Sequence, residues 1–207
     1  MEISLDRIGK RYRGNWVFRG VDRSIHQAER LAVLGPNGSG KSTLLQIMAG
    51  LLLPSEGEAY LMEGTGRRLS HEEHVQSISF TAPYLELPEE LSLRALLKHH
   101  FRFRPLLSGL SLMDLPAMWM LGKEVDVPVK YFSSGMKQRV KLGLALLVDA
   151  PIILLDEPLT NLDDRGREWY DDMIHSWAVD RTVIVASNRK DEYVFCKTEL
   201  DIRDFAG

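Results

Sequence analysis

The chain has one cysteine, Cys196, among its 207 residues. No disulfide can form within it, and a reducing compartment is the expected setting. Long apolar runs are also missing. Nothing approaches the ~20 residues that cross a bilayer; the nearest stretch, Leu115 to Leu121, is short and broken by Pro116. The opening Met1-Glu2-Ile3-Ser4-Leu5-Asp6 lacks the basic-then-apolar form of a signal peptide. A soluble chain is expected, anchored by something else if it works at a membrane. Net charge is only −3, which gives no global field for DNA or an acidic lipid surface, so no nucleic acid is expected as a partner. Residues 1–30 carry seven Lys/Arg against four Asp/Glu, and this local excess reads as a solvated rim. Internal repeats and low-complexity segments are absent. What is there, 44% hydrophobic and 27% charged residues, suits one or two compact domains with a substantial core.

The most informative stretch is Gly35-Pro36-Asn37-Gly38-Ser39-Gly40-Lys41-Ser42-Thr43, which fits G-x-x-x-x-G-K-[ST], the loop that wraps nucleotide phosphates. Leu31-Ala32-Val33-Leu34 before it reads as a buried strand, and Leu44, Leu45, Ile47 and Met48 after it have helical spacing. Glycines let successive backbone N–H groups point inward, and the following helix adds its positive end. Lys41 is expected to reach the β- and γ-phosphates, and the Ser42 hydroxyl to hold Mg²⁺.

Around that loop, residues 2–8 alternate as a half-buried strand, Gly14-Asn15 marks a turn, and Trp16-Val17-Phe18 and Val21 to Ile25 read as two further strands. Gly50 to Pro54 ends the first helix, with Ser55-Glu56-Gly57 as a turn. Ala59 to Met62 and Val75 to Phe80 read as strands. His71-Glu72-Glu73-His74 between them has no third metal ligand nearby and reads as a surface turn. From Pro88 the pattern becomes helical: Leu91, Leu93, Leu96, Leu97, Phe101 and Phe103, continued over Leu106 to Leu121. Phe101-Arg102-Phe103-Arg104 reads either as a partner contact or as two core phenylalanines with solvated arginines. A strong helix follows Ser133 to Arg139. Trp169, Met173, Ile174 and Trp177 share an apolar helix face, Thr182 to Ser187 is a buried strand, and Glu199 to Ile202 a last short one. Alternating strands and helices imply an α/β fold with a mainly parallel sheet and ligands at the strand carboxyl ends.

The run Pro151 to Leu155 delivers two carboxylates, Asp156-Glu157, at the end of an apolar strand. Beside a phosphate loop, Asp156 can hold the Mg²⁺ hydration shell. Glu157 can orient and deprotonate a water for in-line attack on the γ-phosphate. The dication offsets the repulsion between the two.

With these residues in place, nearly the whole chain, from about residue 1 to residue 204, resembles the nucleotide-binding subunit of an ATP-binding cassette (ABC) transporter. The most specific mark is Phe132-Ser133-Ser134-Gly135-Met136, similar to the Leu-Ser-Gly-Gly-Gln signature, followed by Lys137-Gln138-Arg139. Asn161-Leu162-Asp163 resembles the family's D-loop, and Tyr12 sits where the family places an aromatic that stacks on adenine, with Trp16 as a rival. The resemblance implies a P-loop core with an antiparallel β subdomain (1–84 and 136–207 together) and a helical insert at about 85–135. It implies ATP and Mg²⁺ as cofactors and head-to-tail pairing of two cassettes, as a homodimer or a heterodimer. Ser133, Ser134, Gly135 and Asp163 would then face the nucleotide of the partner. It also implies a separate transmembrane permease that docks on the helical insert, hence a cytoplasmic protein peripheral at the inner face of the cell membrane.

Two family residues differ. Where the family has a Mg²⁺-touching glutamine, the chain reads Thr81-Ala82-Pro83-Tyr84; where it has a histidine holding the γ-phosphate, the chain has Asn188. An amide donates a neutral hydrogen bond in place of a charged one, a cost of ~1 kcal/mol or several-fold in rate. ATP hydrolysis that is slow in isolation is therefore expected, with Glu157 and Asn188 as the catalytic residues. The alternatives are a regulatory cassette that binds ATP with little hydrolysis, or a soluble non-transport ABC ATPase.

Overall fold

The computed structural model describes residues 1–206. By its internal contacts the chain divides into two units, the first made of Met1–Phe80, Ala150–Glu157 and the chain from Asp180 on, the second of Thr81–Asp149 and Pro158–Val179. The division differs from the boundaries drawn on sequence: the helix after Ser133 and the helix bearing Trp169 group with the insert.

In the first unit, β1 (Glu2–Tyr12) and β2 (Asn15–Ile25) form a hairpin, and β4 (Glu56–Met62) pairs with the other edge of β1. Arg13 and Gly14 both have positive φ, 49° and 88°, the two-residue turn whose twist matches that of paired strands. The two strands expected at Trp16–Phe18 and Val21–Ile25 are one. Gly20 (φ 76°) lies opposite a register shift between Ile8 and Lys10, so a bulge bends the strand without ending it. Glu56 and Gly57, expected in a turn, already belong to β4.

The second sheet of this unit has the order β5 (Ile78–Thr81), β6 (Ile152–Asp156), β7 (Thr182–Ala186), β3 (Arg30–Leu34), β8 (Thr198–Asp201), with β6–β7, β7–β3 and β3–β8 parallel. Every residue of β6 and β7 is buried, as strands covered on both faces must be. Leu44, Leu45, Ile47 and Met48 of α1 (Lys41–Met48) share a core with Ile3, Phe18, Leu31, Leu154 and Ile184.

The stretch before β5 corrects the sequence reading. His71–Ser77 is a helix, α2, so Val75 to Ser77 are not strand and His71 to His74 are not a surface turn. Ser70 caps it, accepting from the Glu73 N–H while Glu73 reaches back to the Ser70 N–H. His74 is buried, with its Nε2 2.7 Å from the Met48 carbonyl oxygen. Among the described residues no three His, Cys, Asp or Glu side chains group as a metal site.

The second unit holds α3 (Leu93–Phe103), α4 (Leu115–Met118), α5 (Ser134–Leu147) and α6 (Asp164–Trp177). The helix expected over Leu106 to Leu121 is confined to α4; residues 105–107 instead run as a strap along the end of α5, where Leu107 N–H donates to Leu147 and Asp149 N–H to Pro105. Trp169 of α6 donates to the Met118 carbonyl across 2.7 Å, and Met173 and Ile174 are buried beside it, while Trp177 is only half-buried. Phe103 is 62% exposed, which removes it from the core. Among the described residues no helix is long and apolar enough to cross a membrane.

Candidate nucleotide site

In the first unit, the strand order places β7 between β3 and β6. Neighbouring strands lie ~4.8 Å apart, so the carboxyl ends of β3 and β6 stand ~10 Å from each other with the end of β7 between them. The three ends carry the phosphate loop, Asp156-Glu157 and Ser187-Asn188 respectively.

Sterics fix the loop's glycines. A Cβ at Gly40, whose φ is 103°, would lie 2.6 Å from Val17 and 2.8 Å from Phe18 of β2; one at Gly35 would lie 2.6 Å from the Ser39 hydroxyl. Gly40 is also the N-cap of α1, and it makes no side-chain capping hydrogen bond there. The Ser39 N–H donates to the Pro36 carbonyl, 3.2 Å, closing the turn. Lys41 is buried, its ammonium donating to the Gly35 and Pro36 carbonyls at 2.8 and 3.1 Å.

Asp156 is 2% exposed and its Oδ1 has no hydrogen-bond partner. Burial raises its pKa, the neighbouring Glu157 charge adds to the rise, and the Ser42 hydroxyl bonded to it and the Lys41 charge oppose it. A buried carboxylate with one oxygen unmatched, beside a hydroxyl, is an arrangement a hard dication completes. Glu157 is held in the left-handed region at φ 42°, its N–H donating to Ala186 at the end of β7, 2.9 Å. A non-glycine residue there stores backbone strain, which is common at catalytic positions.

Asn188 is exposed, and its Nδ2 donates to Oδ1 of Asn37 in the phosphate loop, 3.1 Å. An open cleft of about 310 Å³ runs along this edge, lined by Gly35, Pro36, Ser187, Asn188, Tyr193 and Arg203 among others. At the hairpin end, Tyr12 is 50% exposed with the Lys10 ammonium 5.3 Å from its ring centre. The Trp16 ring is flanked by Arg11 and Arg19, at 5.5 and 4.8 Å, and lies against Gly9.

In the second unit, Ser133 is the N-cap of α5 and accepts from the Met136 N–H, 3.2 Å. Asp163 caps α6 in the same way, accepting from Gly166 at 2.8 Å. The two loops touch: a Cβ on Gly135 would lie 3.0 Å from the Asn161 carbonyl oxygen. Ser133, Ser134, Asn161 and Asp163 are exposed. Gln138, which sequence reasoning did not single out for a role, is buried in α5 and donates 2.8 Å to the carbonyl of Pro158, the residue after Glu157. Its place in the run after the signature was the available signal. At the position of the family's glutamine, Ala82 is buried and the Pro83 carbonyl accepts from Lys141, 2.7 Å, leaving no polar side chain there.

Comparison with known proteins decides the lineage: residues 18–160 match the family model described as ABC transporter. The chain belongs to the ABC transporter family. It is accordingly an ATP-binding cassette and an ATPase of that family. Tyr12, Asp163 and Asn188 lie outside the matched span. The cytochrome c biogenesis ATP-binding export protein CcmA of Cupriavidus pinatubonensis is 34% identical over 78% of this chain and 71% of its own. The CcmA protein of Paramagnetospirillum magneticum is 31% identical over 93% of this ABC chain and 90% of its own. A solved ABC transporter ATP-binding protein from Pyrococcus furiosus superposes over the full length of both chains with a TM-score of 0.81 at 20% identity. A dimeric, post-hydrolysis cassette bound to ADP and Pi covers 97% of this chain and 94% of its own, with a TM-score of 0.78 and 25% identity.

Proposed function

We propose that this cassette hydrolyses Mg²⁺-ATP at the carboxyl ends of β3, β6 and β7 to drive transport through a separate membrane permease. The observation that carries the reading is the side-by-side placement of the phosphate loop, the Asp156–Glu157 pair and Asn188 on three neighbouring strands.

The Gly35–Thr43 loop cradles the phosphates with backbone N–H groups, and Lys41 exchanges its carbonyl partners for phosphate oxygens. The Ser42 hydroxyl and Asp156 would hold Mg²⁺, which would supply positive charge beside the phosphates. The Asp156 carboxyl, pushed up by burial, would be kept ionised by that charge. Glu157 accepts the proton of the attacking water, and its strained backbone fixes the direction of approach. The Asn188 amide, seated on Asn37, donates to the γ-phosphate. Tyr12 is the better adenine platform of the two aromatics, because the guanidiniums beside Trp16 and the close packing on Gly9 occupy that ring.

Ser133, Ser134, Gly135 and Asp163 lie on the exposed ends of α5 and α6, which suits contact with nucleotide held by a second cassette. Capping uses the Ser133 oxygen as acceptor and leaves its O–H to donate to a phosphate. In this reading the working unit is a head-to-tail pair, and the protein is cytoplasmic, held at the membrane by its permease. The CcmA relatives are named as cytochrome c biogenesis ATP-binding export proteins, which supports an export system of that kind.

The missing glutamine and the amide at 188 favour a second reading, a regulatory cassette with little turnover. Single-turnover hydrolysis by the full chain separates the two. The leading reading expects phosphate release that falls about 10²–10⁴-fold in Glu157→Gln. Equal rates for wild type and variant would leave the regulatory cassette.

A further inference from the structure

A buried carboxylate holds the turn that carries Asn188. Glu192 closes the single 3-10 turn Lys190–Glu192, is 1% exposed, and hydrogen-bonds the Ser187 hydroxyl. That hydroxyl is fully buried and also engages Arg189, accepting its N–H at 2.8 Å and lying 3.2 Å from its carbonyl oxygen. A hydroxyl has one proton to give, and a carboxylate is a stronger acceptor than a carbonyl. The Ser187 N–H donates to Val33 of β3, and the Glu192 N–H to Arg189, at 3.1 Å each. Asn188 is thus an exposed residue directly after an anchored one, and its amide is aimed at Asn37.

Burying a carboxylate is costly unless it is well hydrogen-bonded. Here the Glu192 carboxylate accepts from the hydroxyl of the residue directly before Asn188. We propose that Glu192 is a positioning residue for phosphate recognition, acting through the Ser187 hydroxyl to hold the Asn188 amide over the phosphate loop. The inference rests on the reading that Asn188 faces the terminal phosphate. It adds that the discrimination between ATP and ADP by this edge of the site depends on a side chain four residues further on. Glu192 touches no nucleotide; it sets the direction from which the amide reaches it. Misplacement by a fraction of an ångström weakens an aligned hydrogen bond.

The test compares Mg²⁺-ATP and Mg²⁺-ADP affinity, which needs no turnover, in the full chain and in Glu192→Ala, Glu192→Gln, Ser187→Ala, Asn188→Ala and the Glu192→Ala/Asn188→Ala double variant. Glu192→Ala and Asn188→Ala are each expected to weaken ATP binding about five-fold with little change for ADP. The double variant is expected to bind ATP like Asn188→Ala alone, because both remove the same interaction. Gln at 192 can still accept from Ser187 and is expected to recover part of the loss. Additive losses near 25-fold in the double variant, equal losses for ATP and ADP, or wild-type binding by either single variant would overturn the proposal. If Glu192→Ala does not fold, Ser187→Ala takes its place in the same cycle. A wild-type chain without hydrolysis would sink the reading of function, while the affinity ratio would still decide this one.

Discussion

The Lys41 ammonium lies 2.8 Å from the carbonyl oxygen of Gly35, six residues back along the chain, so the side chain folds over the loop it follows. A phosphate oxygen is a stronger acceptor than a carbonyl because it is charged. Hydrogen bonds to charged groups are worth about 1.5–3 kcal/mol. Lys41→Ala is therefore expected to weaken ATP binding about 10–100-fold. Titration with a fluorescent ATP analogue checks this, and a variant that binds within two-fold or so of wild type would rule the role out.

Ser133 has two roles that substitution can separate. Ser133→Ala removes the cap of α5 and is expected to cost about 1 kcal/mol of stability. Ser133→Asp restores a cap acceptor but sets a carboxylate where the partner's phosphate would lie. Its thermal midpoint should stay near that of wild type while cassette pairing and turnover collapse. Normal turnover in the aspartate variant would mean that the residue caps a helix and does nothing more.

Acid should weaken the fold through two histidines. Burial lowers the pKa of His100 to about 4, helped by the Arg104 and His99 charges, and its Nε2 has no partner. Burial also lowers that of His74, partly offset by the Met48 carbonyl. In the unfolded chain both titrate near pH 6.5. Protons therefore favour the unfolded state, and stability present above pH ~6.5 is lost as pH falls toward ~4. For His100 the loss is on the order of 2 kcal/mol, less than the full shift implies because water reaches part of the ring. Urea midpoints at pH 7 and pH 5 measure it. His100→Leu should flatten the difference, and an unchanged pH slope in that variant would refute the assignment.

The lone thiol is expected to be inert. Burial pushes the Cys196 pKa up to about 12, with Glu199 adding to the rise and Arg30 opposing it. At pH 8 its thiolate fraction is roughly 10³-fold below that of a free cysteine. Alkylation should be correspondingly slow in the native protein and fast in denaturant. Rapid native labelling would contradict the burial.

The chemistry-bearing stretches were legible because each couples a motif to a strand pattern. Ile152 to Leu155 is four apolar residues in a row, a signature of a strand buried on both faces, and the carboxylates follow at once. The place of β7 between β3 and β6 was not legible, since strand order is settled by long-range pairing. Nor was α2, although its Ser70-x-x-Glu73 capping box stood in the sequence. Seven residues are too few for a helical period to stand out, and Ile78 to Phe80 drew the reading toward strand. Glu192 escaped for another reason. Only three dimensions bring its carboxylate to Ser187; on the page it is one more charge in Arg189-Lys190-Asp191-Glu192.

The order β6-β7-β3 has a consequence during synthesis. A nascent chain that has just emerged through Asp163 already carries the phosphate loop, both carboxylates and the signature. It lacks the strand that joins β3 to β6, and the Glu157 N–H has no Ala186 to meet. Nucleotide that binds across these three strand ends is expected to stabilise chains in which residues 182–186 have taken their place between 30–34 and 152–156. A chain that stops before β7 would carry the phosphate loop, both carboxylates and the signature, but neither Asn188 nor the strand that joins the two halves of the site.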